Sequence, residues 1–352
     1  MTFDPDTDAE VLASARRARR RLALKSLGGM LLAGGSAFSG TLLAANPEPG
    51  GTLLAANSAL SGTLLAANRD PPLSKGNTMS TRPIPRSGER LPIVGVGTWQ
   101  TFNVGPNAAE RAELKEVLSS LVEHGASVVD SSPMYGQAER VVGDLTTELG
   151  LREKLFFATK VWTSGRESGI RQMEESFRLM RTQRMDLMQV HNLLDLETHV
   201  KTLREWKAAG RVRYIGITHY NSGAYPQLER LVKTKQFDFA QFNFSMAESE
   251  AENRLLPLCA ESGTAVIVNR PFAQADLFGR VKGKNLPPWA AELDCKSWGQ
   301  FFLKWILGHP AVTCVIPGTR RKTHLEDNVQ AGMGRMPDAA MRRRMLRYVD
   351  EL

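Results

Sequence analysis

Four side chains in this 352-residue chain could together protonate a carbonyl oxygen while a hydride reaches its carbon. Asp130, Tyr135, Lys160 and His191 stand at, or just past, the carboxyl ends of the apolar runs SVVD, LFFATKV and MDLMQVHN. A tyrosine can give up its proton, but an ordinary pKa near ~10 makes it a poor acid at neutrality. A lysine ammonium beside the phenol favours the phenolate and lowers that pKa. The ammonium in turn needs a carboxylate, and Asp130 on the preceding run can supply it. This assigns Tyr135 as general acid, Lys160 as its electrostatic tuner and Asp130 as the anchor of Lys160. His191 would donate a hydrogen bond that orients the carbonyl. Each residue alone has a plainer explanation: a helix cap, a structural ion pair or a satisfied buried histidine. Their shared position at strand ends is what argues for chemistry.

The elements that must hold them follow from the hydrophobic pattern. Strand candidates are Val94–Thr98, Ser127–Ser131, Leu155–Val161, Met185–His191, Val212–Thr218, Phe237–Phe244, Thr264–Arg270 and Val312–Ile316. Helical patterns lie between them, among them Ala109–His124, Glu139–Leu149, Ser168–Arg181 and Leu196–Ala209. Gly125, Gly150, Gly210 and Gly263 mark helix ends. Eight alternations of strand and helix imply a parallel sheet, and runs apolar on both faces imply its closure into a (β/α)₈ TIM barrel. Residues 79–352 are close to the ~250 residues typical of that fold, whose active sites sit on the loops after the strands. Before the barrel, Thr81 to Ile93 reads as a short capping hairpin turning at Ser87-Gly88. The long segment Phe272–Pro288, after the seventh strand, is expected to fold over cofactor or substrate. Trp99 and Trp162, each just past a strand, are candidate walls of a substrate pocket.

Five motifs carry a resemblance: G-V-G-T-W (95–99), D-S-S-P-M-Y-G (130–136), A-T-K-V-W (158–162), V-H-N (190–192) and V-I-P-G-T (315–319). As a linked series over roughly Arg82 to Gln330 they resemble the aldo-keto reductase family. The resemblance implies an oxidoreductase that reduces an aldehyde or ketone to an alcohol with a nicotinamide dinucleotide laid across the barrel top. No G-x-G-x-x-G joins a strand to a helix, so a Rossmann-type site is not expected. By resemblance, Thr218 and His219 in GITHY stand where the family has Ser-Asn, and Gln241 is the family glutamine; together they bind the carboxamide. Asn269 replaces the aromatic that usually stacks on nicotinamide. Gly318, Thr319 and Arg320 open a helix whose free N–H groups and dipole suit a phosphate. Arg320 could pair with a 2′-phosphate, favouring NADP over NAD. Asp327 and Asn328 match the residues that hold adenine, and His324 stands where the family often has Arg. A second reading is a cofactor-binding regulatory subunit of the channel β-subunit type, also found in the family.

Lys and Arg number 45 against 37 Asp and Glu, a formal charge of +8. The charges alternate along the helices and no nucleic-acid module accompanies them, so they read as a solvated surface; the resemblance implies a monomeric enzyme acting on a small carbonyl compound. Cys259, Cys295 and Cys314 show no zinc or disulfide spacing, and no metal is expected. Residues 1–78 read instead as a leader. Arg20-Arg21-Leu22-Ala23-Leu24-Lys25 resembles a twin-arginine export signal and precedes a Gly-rich apolar stretch. The octamer SGTLLAAN, or GGTLLAAN, then recurs at 39–46, 50–57 and 61–68. Such short units cannot bury a core, so they read as a disordered tether. The expected location is the periplasm, reached through the export machinery, or the cytoplasm if translation begins at Met79.

Overall fold

The period-two alternation of strand side chains explains how eight separate runs build one interior. The computed structural model describes residues 78–352; the leader, with Arg20, Arg21 and the repeats, lies outside the described residues. The eight barrel strands are β3 (Val96–Gly97), β4 (Val128–Asp130), β5 (Phe156–Val161), β6 (Met185–His191), β7 (Val212–His219), β8 (Phe239–Asn243), β9 (Ala265–Asn269) and β10 (Cys314–Val315). They pair in parallel in sequence order. Parallel bridges Val94–Val315 and Gly97–Gly318 join the first strand to the last and close the barrel. Gly97 is required at that seam, because a Cβ there would lie 2.9 Å from the Ile316 carbonyl oxygen.

Side chains on one face of each strand form a lumen core that includes Val128, Phe156, Ala158, Leu187, Tyr214, Phe239, Ala265, Ile267, Cys314 and Ile316. The opposite face, for example Val129, Phe157, Val161, Met188 and Val190, packs under the surrounding helices. Those helices include α1 (Ala108–Glu123), α2 (Ala138–Glu148), α3 (Arg166–Leu179), α4 (Leu196–Ala208), α5 (Tyr225–Lys233) and α6 (Leu255–Ser262). Each starts or stops within two or three residues of the span read from periodicity, where one was given. The glycines stop helices as expected: Gly125, Gly150, Gly210 and Gly263 have φ of 77°, 63°, 72° and 65°.

The barrel floor is closed by the hairpin of β1 (Thr81–Pro83) and β2 (Arg90–Pro92). Its Ile84 and Leu91 are buried in the lumen core. Glu89 fastens it from outside: Arg213 pairs with its carboxylate, and the Tyr214 hydroxyl donates to it at 2.6 Å. Segment Phe272–Pro288 contains the short helix α7 (Asp276–Arg280). It is anchored on α8 (Trp298–Leu307): Leu277 is buried, Phe278 meets Phe302 with centroids 5.7 Å apart, and Trp298 Nε1 donates to the Lys284 carbonyl at 2.8 Å. The last two helices are α9 (Lys322–Gln330) and α10 (Ala339–Asp350). Among the described residues no helix is long and apolar enough to cross a membrane.

Candidate active site

Climbing the lumen face, apolar side chains give way to polar ones at the top. Phe156 and Ala158 are followed on the same face by Lys160, Leu187 by Gln189 and His191, and Val128 by Asp130. The register sets Lys160 beside Gln189 and His191 beside Thr218. Lys160 Nζ donates to Asp130 Oδ2 at 2.7 Å and to the Ser131 carbonyl at 2.6 Å. The other Asp130 oxygen accepts from Gln241 Nε2 at 2.9 Å and from Gln189 Nε2 at 3.4 Å. Tyr135 is half-buried, with its ring centroid 5.1 Å from Lys160 Nζ and 5.9 Å from the His191 ring, edge-on. The four residues singled out by type and spacing therefore share one small region at the carboxyl end of the barrel.

Burial raises the Tyr135 pKa, and the charge of Lys160, which lowers it, is partly offset by Asp130. The net direction is upward: desolvation outweighs the tuning expected from Lys160. Burial pulls the Lys160 pKa down, yet Asp130 and Tyr135 together hold it above its ordinary value, and Lys160 is a cation at neutral pH. His191 is pushed down to about 2, first by burial, then by Lys160 and His219. It is therefore a neutral imidazole. Its Nδ1 lies 3.0 Å from the Ser132 hydroxyl.

Of the expected cofactor residues, Gln241 touches this centre and Thr218 touches Gln241. Thr218 Oγ1 donates to Gln241 Oε1 at 2.9 Å, and Gln241 is bound in turn to Asp130. His219 stacks on Tyr220, with centroids 5.6 Å apart, and its Nδ1 accepts from the Asn221 N–H. Gly318 lies at the closing seam, and the Thr319 hydroxyl accepts from the Arg321 N–H at 3.1 Å. Helix α9 begins beyond Arg321 with no side-chain cap on its first N–H groups. Arg320 reaches Glu110 at 3.2 Å and Glu113 at 3.3 Å. Pairs this exposed are screened by solvent and hold Arg320 only weakly. Asp327 accepts from Ser297 at 2.6 Å and Gln300 at 2.8 Å, which ties it to α8; Asn328 is buried beside it.

Whether these residues fit a dinucleotide can be tested on buried polar atoms that lack a partner. Gln189 Oε1, Asn192 Oδ1, Asn269 Oδ1 and Arg270 Nε are such atoms, all at or near the carboxyl ends of β6 and β9. Burying a polar group without a hydrogen bond costs roughly 1–3 kcal/mol, so those at the barrel mouth are hydrogen-bonding capacity that a ligand can use. Together with the uncapped α9 terminus, they fit a group carrying an amide at one end and phosphates at the other. Around the rim Trp99, Met134, Trp162 and Tyr220 are exposed, and Trp162 lies 6.4 Å from the His191 ring. Both tryptophans expected to wall a pocket thus stand at the open end and not in the core.

Ser132, Gln189 and Glu139 were not singled out from the sequence. Gln189 is two residues before His191, and period two alone puts it on the same face. Ser132 lies inside the motif that ends in Tyr135-Gly136, but its contact with His191 joins the loop after β4 to the end of β6, which only the fold brings together. Glu139 looks like a surface residue at the start of α2, yet it is buried and accepts from Thr159 Oγ1 at 2.5 Å.

A closed (β/α)₈ barrel with a buried acid–amine pair beneath a tyrosine and a neutral histidine defines the class of protein. Residues 93–343 match the aldo/keto reductase family, and the chain belongs to that family. A methylglyoxal reductase, YeaE, of Escherichia coli is 30% identical over 261 residues, covering 71% of this chain and 89% of that protein. An NADP-dependent D-sorbitol-6-phosphate dehydrogenase of Malus domestica is 25% identical over 281 residues, covering 69% and 86%. Among solved structures, an aldo/keto reductase from Klebsiella pneumoniae in complex with NADP and acetate superposes with a TM-score of 0.64 at 25% identity. That match covers 74% of this chain and 93% of the other.

Proposed function

We propose that the protein is an NADPH-dependent carbonyl reductase in which Tyr135 is the general acid. The observation that carries this reading is the buried Lys160–Asp130 pair, 2.7 Å long, set beneath the Tyr135 ring. Membership of the family and the NADP carried by the Klebsiella pneumoniae relative support the cofactor. Bound NADPH supplies the hydride. Thr218, His219 and Gln241 would hold its carboxamide end, and the α9 terminus with Arg320 its 2′-phosphate end, which favours NADPH over NADH.

The chain's own residues then manage charge and proton. As the carbonyl carbon is reduced, its oxygen becomes alkoxide-like and needs donors already in place. Tyr135 gives its proton to that oxygen, and the phenolate left behind is stabilised by the Lys160 cation. Burial alone makes Tyr135 a weaker acid than a free phenol, so the transfer depends on Lys160 stabilising the phenolate as it forms. Asp130 keeps Lys160 in place through Oδ2, while Gln241 and Gln189 occupy its other oxygen. His191 donates the second hydrogen bond. Trp99 and Trp162 at the rim offer apolar surface to the rest of the substrate.

The experiment is a carbonyl panel with NADPH and NADH on the full-length chain and on Tyr135→Phe. The variant should lose turnover by several orders of magnitude while NADPH binding, followed by cofactor fluorescence, persists. Retained turnover would remove Tyr135 from the role of acid. No reduction of any carbonyl by the wild type would overturn the reductase reading itself.

A further inference from the structure

We propose that Ser132 is a positioning residue that fixes the tautomer of His191, so that Nε2 carries the proton and faces the substrate carbonyl. The proposal rests on the carbonyl-reductase reading above. The Ser132 side chain is fully buried, and its hydroxyl lies 3.0 Å from His191 Nδ1. That same hydroxyl oxygen accepts from the Met134 N–H at 3.4 Å. Met134 N–H and His191 Nδ1 are the partners of this oxygen among the described residues, and the former is a donor, so Nδ1 is the acceptor open to the buried hydroxyl proton; the reverse direction would leave that proton unpaired. Nδ1 is then the acceptor nitrogen, and the imidazole proton sits on Nε2.

Two further observations make the tautomer matter. Burial and the Lys160 charge hold His191 neutral, so it has one N–H and one lone pair, not two donors. Nε2 pairs with none of the described residues, and the ring presents itself edge-on to Tyr135 at 5.9 Å between centroids. In the opposite tautomer the Nε2 lone pair would face the carbonyl oxygen where negative charge grows, replacing a donor by a repulsion. Lys160 cannot correct this, because its ammonium is held by Asp130 and the Ser131 carbonyl. Ser132 is the side chain that selects between the two forms.

The test is a long-range proton–nitrogen correlation spectrum of the full-length chain labelled at histidine, with steady-state kinetics alongside. The wild type should show His191 with Nδ1 unprotonated and Nε2 protonated. Ser132→Ala should give a mixture of tautomers and a kcat about tenfold lower, with KM and NADPH affinity little changed. Ser132→Thr, which keeps the hydroxyl, should restore both the spectrum and much of kcat. A wild-type spectrum with the proton on Nδ1 overturns the proposal. So does a Ser132→Ala variant with the wild-type spectrum and wild-type kcat. The spectrum is recorded without turnover. A chain that reduces no carbonyl, yet shows the Nε2–H form lost in Ser132→Ala, would sink the reductase reading and uphold the tautomer control.

Discussion

Glu139 shows how far a single carboxyl can be moved by its place in the fold. It opens α2 but turns inward beneath Thr159, the outward neighbour of Lys160 on β5. Burial raises its pKa from 4.5 to about 7, although Thr159, Ser176 and Lys160 all pull it down. Between those two values the unfolded chain is ionised while the native state keeps its proton. The group's contribution to stability is therefore fully present below about pH 4.5 and is lost as the pH rises through about 7. Glu139→Gln, which imitates the protonated form, should match the wild type near pH 4.5 and exceed it at pH 8. The gain is at most about 3 kcal/mol, from the size of the shift. Urea unfolding at the two pH values measures it; a variant less stable than the wild type at pH 8 would show that the carboxylate itself holds the site together.

At the scale of elements, strand periodicity and helix contact impose different demands. Strands need only alternate correctly, and the alternation alone sorts Asp130, Lys160, Gln189, His191, Thr218 and Gln241 onto the lumen face. Helices must approach one another at set distances. Gly143 in α2 lies against the end of α3, where a Cβ would stand 2.0 Å from the Leu179 carbonyl oxygen and 2.8 Å from Met180 Cα. Both are backbone atoms and cannot swing aside. Gly143→Ala should thus destabilise by about 1–3 kcal/mol, even though alanine is the better helix former. The expected observation is a lower urea midpoint with an unchanged slope. A variant as stable as the wild type would mean that α2 and α3 can separate freely.

At the scale of the whole molecule, the barrel lies within the described residues, and residues 1–77 precede it in sequence. Export of the chain remains our proposal, drawn from Arg20-Arg21 and the Gly-rich stretch after it. Fractionation of a bacterium with the twin-arginine pathway should place the wild type in the periplasm or on its membrane face. Arg20→Lys/Arg21→Lys should stay in the cytoplasm with an equally active barrel. Wild-type protein confined to the cytoplasm, with its amino terminus at Met79, would remove the leader from the account and leave the reductase reading intact.

Much of this architecture is legible in the chain itself. Period two in eight apolar runs, and glycines at helix ends, depend on neighbours along the chain, and the strands lie where those runs predicted. The identity and grouping of Asp130, Tyr135, Lys160 and His191 were legible for the same reason: strand ends of a barrel share one face. Three matters depended on packing between segments far apart in sequence. Desolvation, which no spacing reveals, turned the Tyr135 pKa upward and made His191 neutral. The link from Thr218 through Gln241 to Asp130 needed three strands in register. The Ser132–His191 contact required the loop after β4 to meet the end of β6, and the inward turn of Glu139 required α2 to pack on the outer face of β5. Local pattern says which residue types sit at each strand end; only the closed barrel sets which atoms they touch, because burial and hydrogen-bond partners are properties of the assembled interior.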